Sequence, residues 1–287
     1  MAESPITVVN RLPQPSRRLE CLLLRLTFEI LALVAMCSVS FAGLLILLYQ
    51  WMPNIPRSER IALCGLLLPL GMIVGVGALS GLPIDRPLDY LLYAQLGAAG
   101  LLALPLVRAL RSGTPSAREL FPGELLADVS GSAARWVVIL SLLVTVLMSA
   151  VGVWTVSIDD DPAGYHVPQA LQIWQDARLG PVSCELVYAD SYPRGVPMLW
   201  ASTMTVTASE AGFDLVSSYF AILGAIAVYI AARRVGVMSQ PALVAGCCYL
   251  TLPLVSFLGV WSYIDGPVQA CQMLAIAFAL PQRQRRL

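Results

Sequence analysis

Residues 157–178 read S-I-D-D-D-P-A-G-Y-H-V-P-Q-A-L-Q-I-W-Q-D-A-R, and they concentrate the groups best suited to chemistry in this chain. Asp159, Asp160 and Asp161 are adjacent, and His166, the only histidine, follows beside Tyr165. Carboxylates of this kind can act as a general base or hold a hard cation. Three in a row cannot all face one way, so at most two share a site. Their repulsion favours either protonation of one or a bound divalent cation, for which Asp159, Asp160 and Asp161 are the metal-ligand candidates. The competing reading is charge that merely keeps a loop solvated; the Tyr165-His166 pair and the segment behind it tilt the balance to function. His166, being alone, fits an orienting or interfacial role better than that of a metal ligand.

What must position these groups is a membrane frame. The chain has 287 residues, 57% hydrophobic and 13% charged, with a mean hydropathy of +0.74. A soluble domain of this length needs far more polar surface, so an all-α integral membrane protein is implied. Net charge is zero, which offers nothing to nucleic acid. Every basic residue is Arg, so Lys-dependent Schiff-base or P-loop chemistry is excluded. The seven cysteines form no CxxC pair or zinc spacing, and most sit in apolar runs as small hydrophobes.

Apolar runs at 30–52, 61–82, 88–107, 136–156, 215–232, 242–260 and 268–280 give about seven spans by the hydropathy criterion. The run at 196–207 is too short to cross and reads as a half-embedded helix. Residues 1–135 form an N-terminal membrane region with about three spans, closed by a polar linker at 112–134. Residues 136–287 form a second membrane module with polar excursions at 157–195 and 261–267. In the first excursion Val167, Ala170, Leu171 and Trp174 recur at helical spacing, with Gln169, Gln172 and Gln175 between them. That pattern predicts an amphipathic helix lying on the membrane surface, with Trp174 and Trp200 as interface anchors.

Arginine counting sets the sides. With the Asp run outside, Arg57, Arg60, Arg108, Arg111, Arg118, Arg135, Arg233, Arg234, Arg283, Arg285 and Arg286 fall inside. Arg11, Arg17, Arg18 and Arg25 conflict with this, unless the first run fails to cross or an early span is re-entrant. Two spans separate the Asp run from Asp265, so both acidic segments open on one face, together with Tyr165, His166, Arg178, Tyr188, Asp190, Tyr192 and Arg194.

At the level of motif, Asp161-Pro-Ala-Gly-Tyr165-His166-Val-Pro168 resembles the D-x-L-x-Y-H-L-P segment of bacterial GT-C glycosyltransferases. These are polyprenyl- or dolichyl-phosphate-sugar-dependent enzymes that include the protein mannosyltransferases and aminoarabinose transferases. The likeness continues through Trp174, Gly180, Tyr192-Pro193 and Pro197-Met-Leu-Trp200. It runs on to Ala231-Ala-Arg233-Arg234-Val-Gly236, Thr251-Leu-Pro253 and Tyr263-Ile-Asp265, covering roughly residues 136–280. Pro162, Gly164 and the extra Asp159 and Asp160 depart from the pattern, and residues 1–135 carry no matching motif.

The resemblance implies transfer of a sugar from a polyprenyl-phosphate carrier to an acceptor on the outer face of a bacterial inner membrane. It assigns catalytic roles to Asp161 and Asp265. Arg178 and Arg194 become candidates for the carrier phosphate, with Asp160, Tyr165, His166 and Tyr192 lining the substrate. Arginines that merely snorkel to the interface are the competing reading for Arg178 and Arg194. No cofactor is implied beyond that divalent cation, and the named partners are the lipid-linked sugar and membrane lipid. Family members generally continue through further spans, so the chain is expected to be C-terminally truncated. The alternative is then a non-catalytic membrane protein that binds lipid or a partner. A small transporter is less favoured, because beyond Glu29 the spans hold almost no ionisable residues.

Overall fold

The computed structural model describes residues 17–81, 87–112, 132–154, 165–176, 179, 193–260 and 263–281. Among them there are helices and no strand. In lipid each backbone N–H and C=O needs a partner within its own segment, and leucine- and alanine-rich runs satisfy that as helix. The order is α1 (Arg17–Trp51), α2 (Arg57–Ser80), α3 (Pro87–Ser112), α4 (Ser132–Trp154), α5 (Val167–Asp176), α6 (Gly195–Thr207), α7 (Phe213–Arg234), α8 (Ser239–Leu250), α9 (Pro253–Val260) and α10 (Asp265–Ala279).

Among the described residues, five helices are long and apolar enough to cross a membrane: Thr27–Trp51 within α1, α2, Tyr90–Ser112 within α3, Ala134–Gly152 within α4, and α7. The chain is therefore a helical membrane protein, and five of the seven expected spans are helices of that length among the described residues. The run at 242–260 is divided between α8 and α9, because Pro253 has no N–H to continue the ladder and Thr251 and Leu252 turn back onto Cys248 O and Tyr249 O at 3.1 and 3.2 Å. The run at 268–280 starts earlier, at Asp265, yet α10 reaches only 15 residues. The short helix at 196–207 is present as α6, 13 residues long. It ends where Ala208 turns left-handed at φ 47° and returns its N–H to Met204 O at 2.9 Å.

Packing fixes which ends lie together. Leu45 and Leu48 of α1 pack on Cys64 of α2, and the Arg60 guanidinium lies 4.6 Å from the Tyr49 ring centre, so α1 and α2 form an antiparallel hairpin. At the other end Val76 of α2, Leu91 of α3, Ile173 of α5 and Ala201 of α6 share one cluster. Helix α1 is continuous, so its arginine-bearing start lies at the same end as α5. Neither way of relieving the arginine conflict is therefore seen, since Thr27–Trp51 is a full-length apolar helix.

Close approach depends on two glycines in particular. An added Cβ on Gly43 would overlap Leu102 O, and one on Gly246 would stand 2.8 Å from Ala225 O. Both obstacles are backbone, which cannot swing aside. Small residues permit this kind of contact between membrane helices. Gly43→Val should force α1 and α3 apart at a cost on the order of 1–3 kcal/mol or more. The thermal midpoint in detergent should fall, and an unchanged midpoint would show that the two backbones are not in contact.

Candidate functional site

Helix α5 forms where Pro168 falls in the first turn, a position at which a missing N–H costs nothing. Its buried face is Val167, Gln169, Ala170 and Ile173, with Leu171 and Trp174 partly buried. The sequence pattern placed Gln169 among the polar positions, yet Gln169 is fully buried. The reason is that α5 is packed between two clusters of the bundle. Ile173 packs against Val76, Leu91 and Ala201, while Val167 and Ala170 pack against Trp200, Met204 and Phe213. A helix covered on two sides has less room for a polar stripe.

Tyr165 and His166 form a π-type turn leading into α5, and both are buried. Their rings lie 4.0 Å apart, centre to centre. The His166 ring meets Trp200 edge-on at 6.5 Å, and Trp200 stacks on Phe213 at 5.0 Å. Four aromatic rings thus join the segment ahead of α5 to α6 and to the first residue of α7. His166 is 2% exposed, so it is buried within the bundle and not placed at an outer surface. Trp200 is 0% exposed, so it is not an interface anchor but the centre of this cluster. Trp174 is partly buried and packs on both clusters flanking α5.

Ile264 packs on the same Val167, Ala170, Trp200, Met204 and Phe213 cluster. Asp265 follows it as the exposed first residue of α10. A carboxylate in a first turn is favoured by the helix dipole. The structure therefore brings Tyr165, His166 and the Ile264-Asp265 corner to one end of the bundle. Arg194 is half-buried and leads directly into α6, about 9 Å along that helix from Trp200. Asp159, Asp160, Asp161, Arg178, Tyr188, Asp190 and Tyr192 lie outside the described residues. Among the described residues no group of three His, Cys, Asp or Glu side chains is placed to hold a metal ion.

Sequence reasoning passed over two features of this end. Asp214, in the first turn of α7 and next to Phe213, is only 5% exposed. The signal was available: a carboxylate one residue into a span, behind the Gly212-Phe213 step, is costly unless it is held. The second is Gln95 of α3, which donates to Ser202 Oγ of α6 and accepts from Thr205 Oγ1 at 3.5 Å. A side-chain amide in an apolar span needs such partners, and here they tie α6 to α3.

Comparison with protein-family models, curated proteins and solved structures finds no match for this chain. What the fold defines is the class: an all-helical membrane protein with an aromatic-lined cluster at one end of its bundle.

Proposed function

We propose that the protein is a membrane glycosyltransferase that moves a sugar from a polyprenyl-phosphate carrier to an acceptor hydroxyl or amine. One observation supports this above the others. The Tyr165-His166 segment, which directly follows the Asp run, and the Ile264-Asp265 corner meet on the cluster around Trp200. The residues that follow the Asp run in sequence are thereby brought beside the corner that carries Asp265, which is what a transferase using both acidic segments requires.

On this reading Asp161 takes the proton of the acceptor as the acceptor atom attacks the anomeric carbon. The sugar–phosphate C–O bond breaks with inversion, and the carrier phosphate leaves with the electron pair. Arg178 and Arg194 stabilise the charge that develops on it. Asp265 is the second carboxylate, Asp160, Tyr165, His166 and Tyr192 contact the substrate, and a divalent cation on the Asp run could share the phosphate. The α8–α9 pair and α10 complete the sixth and seventh crossings, and the site faces outward from a bacterial inner membrane. Membranes containing the protein, incubated with radiolabelled polyprenyl-phosphate sugars, should move label to an acceptor. Label that stays on the carrier with every donor tried would remove the reading.

A further inference from the structure

At the end of the bundle away from this cluster, Arg234 closes α7 with its side chain turned inward between helices. Its Nε and Nη2 donate to Glu59 Oε1 of α2 at 3.0 and 2.9 Å, and its Nη1 donates to Phe278 O and Leu280 O at 2.6 and 2.8 Å. The two side chains are 15% and 11% exposed, and the guanidinium also lies 5.6 Å from the Phe278 ring centre. One planar fork thus satisfies the last carbonyls of α10 and a carboxylate of α2 at once, which a lysine ammonium cannot reproduce.

Apart from this fork, the contacts that hold α10 are apolar. It packs on α7 through Ala270, Leu274 and Ala277, with Met273 and Phe278 partly buried against the same cluster. Between membrane helices lipid supplies no hydrophobic force to choose a register. Among the described residues, no other side-chain hydrogen bond joins α10 to another helix. Helix α10 is about 22 Å long, and a slip of one turn would carry Asp265 about 5 Å along its axis.

The geometry points to Arg234 as a positioning residue that, with Glu59, sets the height and rotation of α10 and so seats Ile264 and Asp265 against the cluster at the opposite end. The consequence for catalysis rests on the glycosyltransferase reading; the seating itself does not. Oxidative cross-linking in membranes tests the seating, using Ile264→Cys with Val167→Cys and peptide mapping to identify the bond. Glu59→Gln/Arg234→Gln removes both charges together, so neither is left buried alone, and it should reach the membrane at the wild-type level. In that background the cross-link should form several-fold more slowly, and Arg234→Lys should recover only part of the rate. A rate equal to that of the parent pair would overturn the proposal, whatever the enzymology. If the labelled sugar moves, Glu59→Gln/Arg234→Gln should lower kcat about tenfold or more with KM held within about twofold. A changed cross-linking rate with no transfer in any form of the protein would sink the glycosyltransferase reading and leave the positioning role standing.

Discussion

Trp200→Ala should destabilise the protein by about 3–5 kcal/mol, the range for emptying a fully buried aromatic site. Trp200 has no exposed surface, and it touches elements from four parts of the chain: the His166 turn, α5, α7 and Ile264. Its stack on Phe213 adds about 0.5–1.5 kcal/mol beyond buried area. Trp200→Phe is the informative partner. Among the described residues the indole Nε1 has no hydrogen-bond partner. Replacing it with carbon therefore removes an unsatisfied buried donor as well as some volume. Trp200→Phe should cost less than half as much as Trp200→Ala. Thermal midpoints of the purified protein in detergent compare the two, and equal losses would mean that an unseen partner holds the indole nitrogen.

The treatment of Trp200 also shows where sequence reading stopped. An aromatic residue beside a membrane run is read as an interface anchor, because local pattern carries no information about what covers it. Four segments converge on Trp200, and none of them is local to it. Gln169 was misassigned for the same cause: helical spacing finds the apolar stripe of α5 but not the second layer that encloses its flank. The Glu59–Arg234 pair joins residues 175 apart, and arginine counting saw only charges on one side. By contrast, α2, α3, α4 and α7 were legible as apolar runs, since a helix in lipid must satisfy its own backbone. Pro253 was legible as a breaker, but its effect was not: it splits a run long enough to cross into helices of 12 and 8 residues.

On the proposed glycosyltransferase reading, Asp161→Asn and Asp265→Asn should each lower sugar transfer about 10²–10⁴-fold, the usual contribution of a positioned general base or acid. Asparagine keeps the size of the side chain and removes its basicity, so both variants should reach the membrane at the parent level. The two losses should not multiply. If one carboxylate removes the proton and the other sustains the charge of the same transition state, the double variant should fall little below the worse single one. Independent, multiplying losses would argue that the two residues serve separate steps. The pair also separates catalysis from architecture. Asp265 is exposed, whereas its neighbour Ile264 makes the packing contact, so Asp265→Asn should leave the Ile264→Cys to Val167→Cys cross-link at its parent rate. Asp214→Asn should behave otherwise. That carboxylate is buried in the first turn of α7, one residue after the Phe213 whose ring Trp200 stacks on, so its loss should lower the thermal midpoint as well as any transfer. Full transfer by Asp161→Asn would end the general-base assignment. Full transfer by Asp265→Asn would leave Ile264 as a packing residue whose acidic neighbour has no part in the reaction.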